Sequence, residues 1–468
     1  MFEENDLLKI LINYNFSNLY RGEKNVSSFL EEHFNQYICD IKWGLKGNNK
    51  HIAQFILNDI SKDFDKLVSL EKNIIDIIKT FEDGHLKKAY DEAFKFFDNN
   101  KDLFLVKTFD DQTRHYFARV RYGEFKSDDK KELFHIPRNK SGLIGAYRYS
   151  VAGFPCLYLA NDLELSWYEC NMPKTFSYCY MKIADTQKLK LINFVERPMD
   201  FFSGNIVNLL NAMSRKQEDI INIIKREIKN YIITYPLVAS CSLIVKDRNQ
   251  KYIAEYIVPQ LLMQWIREKD EYDGVIYKSS LNSNLNKGMG AFNIALPVKE
   301  FREDGLCENL TKKLLISDIN YIDTVKYFEE KKRELIKEIL DLKNEIWLFM
   351  IHSKCKKDCL SQMIDICDYI YLTYTALIEN KYTNSELIFN FINCLDSYIF
   401  MFKVNEDLFI QKMLITDGLV QEITTDFEKE KIHEIFNKFL KLTDMVVKRN
   451  QGFYITHNIP SVENFSNI

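Results

Sequence analysis

The stretch RYSVAGFPCLYLANDLELSWYEC, residues 148–170, concentrates side chains that could do chemistry. FPCLYLA alternates, so Phe154, Cys156, Tyr158 and Ala160 share one face of a strand. Asn161 and Glu164 then stand at capping-box spacing, which predicts a short helix carrying Glu169. A strand would thus deliver a tyrosine, and the next helix a carboxylate. The carboxylate can stabilise a developing positive charge, and the phenol offers an aromatic face with a polar tip. By spacing alone, a glutamate on a short helix is more often solvated than catalytic. Read the same way, Arg119 is a surface ion-pair residue, Tyr158 a half-buried sheet residue and Ser279 a turn residue at a strand end.

Few other constellations compete. Cys355 and Cys359 with nearby His352 form one candidate metal cluster, but CKKDC lacks the two-residue spacing of common zinc knuckles and has no second half, so no metal is expected. There is no GxxxxGKS or GxxxxGKT loop, no GxGxxG after a strand, no HExxH and no GxSxG. The ten cysteines are scattered over 468 residues, and the others read as reduced core thiols. A net charge of -4, with 28% charged residues of both signs spread along the chain, leaves no basic block for a nucleic acid. MFEENDLLKI is acidic before it is apolar, the reverse of a secretory signal, and no apolar run approaches the roughly 18 residues that span a bilayer. The expected location is the cytoplasm, without a membrane partner.

Three regions must position these residues. Residues 1–100 read as helices, with apolar residues three or four apart and breaks at GNN and EDG. From about 101 to 305 most of the prolines appear, among short runs rich in Val, Ile, Tyr and Phe that predict mixed strands and helices. Residues 195–232 stand out there as a charged, insertion-like helical stretch. From 306 to 468 the helical period returns. A seam runs Tyr321, Val325, Phe328, Lys332, Leu335, Ile339, Leu342, Ile346 and Phe349, alternating steps of four and three. It fits either an intramolecular helical hairpin or an intermolecular coiled coil that would make a homodimer.

The 148–170 string resembles the signature of the RES family, in which a glycine-containing turn leads into a PxLYLA-type strand and a glutamate-bearing helix. HYFARVRYGEF at 115–125 resembles that family's opening strand, whose arginine contacts a dinucleotide; Arg119 is the better match and Arg121 its rival. Arg148 falls on a recurrent arginine in the run leading into the signature. AEYIVPQLLMQWI at 254–266 resembles a family helix, with Pro259 in its first turn. DGVIYKSS at 273–280 resembles the strand that ends in the family's serine, with Ser279 preferred over Ser280. The order Arg, Tyr, Glu, Ser is kept across about 101 to 300.

The resemblance implies an α+β fold, with a central mixed α/β domain built on an ADP-ribosyltransferase-like sheet and flanked by all-helical domains. It implies NAD as substrate and its degradation, by hydrolysis or phosphorolysis of the nicotinamide–ribose bond, in a toxin or antiphage-defence setting. Glu169, Tyr158 and Ser279 would be catalytic. Arg119, Arg121 and Arg148, with Tyr158 and Ser279, would bind NAD. Glu169 would stabilise an oxocarbenium-like ribose, and Arg119 would present a planar cationic fork to the diphosphate. Nicotinamide is a good leaving group, so His115 and His135 read as structural rather than as acids. Such an activity would need restraint, from a separate antitoxin or an autoinhibitory contact with the helical flanks. The alternatives are ADP-ribosyl transfer to a macromolecule, or a non-enzymatic helical interaction protein carrying a degenerate RES domain. A ribonuclease site of the kind some helical prefixes carry, with an Arg four to six residues ahead of a His, finds no support, because the nearest case to that spacing is Arg449 and His457, with seven residues between.

Overall fold

A computed structural model gives the fold and describes residues 7–14, 19–47, 54–113, 115–124, 130–171, 173–196, 198–245, 247, 250–279, 291–323, 337–348, 364, 367–368, 431, 434–435, 437–438 and 465–466. His352, Cys355, Cys359 and Ser280 lie outside the described residues, as do Val325, Phe328, Lys332, Leu335 and Phe349 of the seam. The chain divides into two compact units, one comprising residues 1–172, 176–321 and 458–468, the other 173–175 and 322–457.

The first unit is α+β, as the sequence predicts. It opens with α1 (Leu7–Asn13), α2 (Val26–Gly44), α3 (Gln54–Lys62), α4 (Phe64–Glu82) and α5 (Leu86–Asn100). Their apolar faces bury Leu30, Phe34, Tyr37 and Ile41 from α2 and Leu67, Leu70, Ile74 and Ile78 from α4. The 195–232 stretch becomes α7 (Pro198–Ser214) and most of α8 (Glu218–Cys241), and α9 (Ile257–Arg267) follows with Pro259 in its first turn. Pro236 lies inside α8. Its missing N–H leaves the carbonyl four residues back, that of Ile232, without its helical donor, and the buried Tyr37 hydroxyl donates to that oxygen at 2.9 Å.

The strands are β1 (Val106–Asp110), β2 (Phe117–Tyr122), β3 (Cys156–Ala160), β4 (Thr175–Ile183), β5 (Lys188–Phe194), β6 (Gly274–Tyr277), β7 (Asn293–Pro297), β8 (Leu314–Ile316) and β9 (Asn320–Asp323). The short helices α6 (Leu163–Glu169) and α10 (Glu308–Lys313) complete the elements named here. Sheet order is β1-β5-β6-β7-β3-β2-β4-β8, with β9 beside β4. β5 and β6 run parallel, and the pairs on either side of them are antiparallel. Gly274 opens β6 because any Cβ there would collide with the Ala295 carbonyl, so only glycine lets the two strands close up.

Each face of the sheet has its own core. Val275, Ala295, Ile192 and Phe194 pack with the amino-terminal helices and with α7, α8 and α9. Leu157, Leu159, Ile276, Ile294 and Leu296 pack on the other face with Phe117, Cys179 and Met181. This is the period-two alternation expected of strands buried on both sides. In the second unit, residues 337–348 are helical, and Ile339, Leu342 and Ile346 are buried within the chain itself. Those three seam positions therefore face an intramolecular core. Lys431 and Lys438 pair with Glu345 of the same helix.

Candidate active site

The sheet has one weak seam. β3 pairs with β7 along its whole length and β2 with β4 along its whole length, but β2 and β3 meet only at Ala118 and Ala160. Beyond that pair the strands part, and Arg119 fills the opening: its Nη1 donates to the Tyr158 carbonyl at 3.0 Å. A side chain here replaces a missing ladder hydrogen bond. Among the described residues, the buried side-chain polar atoms left without a partner are Arg119 Nε and Tyr149 Oη. Such an atom costs about 1–3 kcal/mol, so the buried Arg119 Nε at the opening between β2 and β3 calls for a functional explanation.

The family resemblance assigns Arg119 and Tyr158 to one site, and in the structure they meet through the Tyr158 backbone carbonyl. Register puts Tyr158 on the face of Ala118, whereas Phe117, Arg119 and Arg121 share the opposite face with Met181, Cys179 and Ser177. The arginine and the tyrosine ring leave the sheet on opposite sides, and the guanidinium reaches β3 through the splayed seam. Arg121 is engaged elsewhere, since its guanidinium meets the Glu132 backbone carbonyl and, at 3.3 Å, the Glu132 carboxylate. Burial and the neighbouring Arg119 charge lower its pKa, which Glu132 partly opposes.

Tyr158 projects towards the helical face. Its hydroxyl donates to Ser150 Oγ at 3.1 Å and accepts from the Tyr149 N–H at 3.2 Å. Burial raises its pKa well above the ordinary phenol range, so it stays a neutral donor. The Tyr147 ring meets it edge-on at 6.1 Å, and Tyr149 packs on Tyr277 at 4.7 Å. Tyr147 is exposed, as is Tyr122 at the end of β2, whose hydroxyl donates to the Cys170 carbonyl. Two exposed tyrosines thus flank the cluster.

Glu169 closes α6. The helix is capped one residue later than the sequence predicts: Asp162, not Asn161, accepts from the Leu165 N–H at 3.1 Å. Asn161 is used across the sheet instead, exchanging hydrogen bonds with the backbone of Phe292 at 2.8 and 3.0 Å. The helix stops directly after Glu169 because Asn171 adopts a left-handed conformation, φ 60°. Glu169 Oε1 accepts from Asn293 Nδ2 at 2.7 Å. The Cys170 thiol donates to the Val120 carbonyl at 3.5 Å and feels the charges of Arg119, Glu169 and Arg121. Burial pushes the Cys170 thiol up and the Cys156 thiol up to about 12, so neither supplies a thiolate nucleophile.

The remaining expected residues take other places. Arg148 is buried, with Nη1 and Nη2 on the carbonyls of Cys241 and Leu243 at the end of α8 and its guanidinium over the Tyr256 ring. Ser279 is buried two residues beyond β6. His135 is structural: its Nδ1 donates to the Ile136 carbonyl and its Nε2 accepts from the Cys307 N–H. Asn293 and Tyr277 are residues of the cluster that sequence reasoning does not single out. Tyr277 lies directly opposite Asn293 in the sheet and feels the Glu169 charge.

A Bacillus subtilis (strain 168) protein named "Putative toxin YopC" is 27% identical to this chain over 311 residues, which cover 64% of the chain and 66% of that protein. The match thus spans just under two thirds of the relative's length. No family model matches the chain. No solved structure matches it. Among the described residues, no helix is long and apolar enough to cross a membrane.

Proposed function

We propose that the chain is an NAD-degrading enzyme acting as a toxin, in the manner of the RES-domain proteins that its 148–170 signature resembles. The observation that carries this reading is the splayed β2–β3 seam, where Arg119 keeps a buried Nε without a partner while Glu169 is fixed at the neighbouring helix end. A buried cationic donor without an acceptor suits an anionic ligand such as a diphosphate. The name of the Bacillus relative supports the toxin half of the reading.

The chemistry follows from the charges. The bond between nicotinamide and C1′ of the ribose breaks, and its electron pair leaves with the nicotinamide. Glu169 stabilises the positive charge that grows on the ribose. A water oxygen, losing a proton, or a phosphate oxygen then bonds to C1′. Arg119 holds the diphosphate, with Arg121 behind it in its pair with Glu132. Tyr158 presents a neutral phenol and a ring to the nicotinamide side, and Ser279 would hold a ribose hydroxyl or the carboxamide. Arg148 would serve NAD indirectly, by fixing the end of α8 behind Tyr149. No metal enters these steps. Unrestrained NAD loss would kill the host, so an antitoxin or the protein's own helical flanks would hold the activity in check.

Incubating the purified protein with NAD, with and without phosphate, and weighing the products tests this. Nicotinamide with ADP-ribose marks hydrolysis, nicotinamide with a phosphorylated ADP-ribose marks phosphorolysis, and a mass gain on a protein or nucleic acid marks transfer. Intact NAD under all conditions would sink the reading.

A further inference from the structure

The residue that Glu169 leans on lies far from the signature, at the start of a central strand. Asn293 is 3% exposed, sits between Ala160 of β3 and Tyr277 of β6, and donates Nδ2–H to Glu169 Oε1 at 2.7 Å. Helix α6 ends at Glu169, where the terminal carbonyls present partial negative charge. A carboxylate there is disfavoured by its own helix. It needs an opposing donor to hold one conformation, and the Asn293 amide supplies it. The donor is itself fixed, because Asn161, which opens the turn into α6, clamps Phe292 immediately before Asn293 through two hydrogen bonds. The strand that carries the amide and the helix that carries the carboxylate are thereby tied at their adjoining ends.

We infer that Asn293 is a positioning residue for Glu169: its amide holds the carboxylate in place, so that the negative charge stands where the reaction develops positive charge. The inference rests on the role proposed above for Glu169. An amide is suited to this task because it donates without carrying charge, so it steadies the carboxylate without cancelling it.

The test compares full-length wild type, Asn293→Leu, Asn293→Ser and Asn293→Asp for NAD cleavage across pH and for growth arrest on expression, with circular dichroism reporting the fold. Asn293→Leu, nearly isosteric but without a donor, should lower kcat about 10²-fold with KM changed little, the scale expected when a reacting group is misplaced. Asn293→Ser, which keeps a hydroxyl donor, should fall between; it carries the comparison if the leucine variant unfolds. Asn293→Asp is the sharpest arm. At neutral pH it sets two carboxylates together and should be nearly inactive. It should regain activity as the pH falls and the introduced carboxyl gains a proton to donate to Glu169, a recovery that wild type, whose amide donates at every pH, should not show. Folded Asn293→Leu and Asn293→Ser with wild-type kcat, or an Asn293→Asp variant whose pH profile matches wild type, would overturn the inference. If wild type arrests growth but spares NAD, the NAD reading falls. Equal loss of arrest in Glu169→Gln and Asn293→Leu would then still uphold the pair, and arrest lost only in Glu169→Gln would overturn it. A wild type that neither cleaves NAD nor arrests growth would overturn both.

Discussion

Glu169 and Tyr158 announce themselves because their signals are local. Alternation fixes the face of Tyr158, and a cap followed by a short helix fixes the position of Glu169. Asn293 has no such signal. Nothing in the run NIALP distinguishes an asparagine that meets a carboxylate more than a hundred residues away from one that ends a turn, and only the pairing of β7 with β3 brings the two together. Arg119 was legible as a candidate and not as a geometry, because its face depends on where β2 and β3 part. His135 illustrates the opposite case, a histidine whose chemistry is spent on the fold. Burial lowers its pKa to about 4 from an ordinary value of 6.5. The unfolded chain therefore takes up a proton in that interval while the folded chain does not. The stabilisation is fully present above pH 6.5 and is lost as the pH falls towards 4, by about 3 kcal/mol at most. Denaturant titrations of wild type should show this acid loss, and His135→Gln, which keeps an acceptor for the Cys307 N–H, should show a shallower slope. Equal slopes would remove His135 from the account.

At the scale of elements, the helices of residues 1–100 and the stretch at 195–232 follow from apolar periodicity, but their joint packing does not. The proline in α8 shows why. By local rules Pro236 should end or kink the helix, and α8 runs through it because a residue of another helix takes up the orphaned carbonyl. Tyr37→Phe should leave the Ile232 oxygen buried and unpaired, and should destabilise the protein by about 1–3 kcal/mol. In a Pro236→Ala background the helix regains an N–H for that oxygen, so the same change should cost distinctly less. A thermodynamic cycle over the four proteins measures the difference. Additive effects would mean that the hydroxyl and the proline are not coupled. The capping of α6 makes a related point: Asn161 and Asp162 are both good caps in sequence, and the choice between them is made by Phe292, to which Asn161 is committed.

For the whole molecule, an α+β body was legible from the change of period near residue 100, but the limit near 305 was not, because β8 and β9, the latter holding Tyr321 of the seam, extend the sheet beyond it. Sheet order was not legible either, since it joins strands distant in sequence. The seam was legible as apolar spacing, which leaves open what it faces. Burial of Ile339, Leu342 and Ile346 within a single chain assigns these positions to an internal core. Ile339→Lys should therefore loosen the second unit, by about 3 kcal/mol or more for an unpaired buried charge, and should leave the molecular mass in solution unchanged. Light scattering with circular dichroism reads both, and a folded variant of half the wild-type mass would restore the intermolecular coiled coil. The central claim concerns the first unit, and it is tested most directly by measuring NAD in growing cells after induction of wild type or Glu169→Gln. Removal of one negative charge from the site should forfeit several kcal/mol of transition-state stabilisation, on the order of a hundredfold or more in rate. The account predicts that NAD collapses with wild type and is spared with an equally abundant, folded Glu169→Gln variant; NAD that falls equally with both, or with neither, would contradict it.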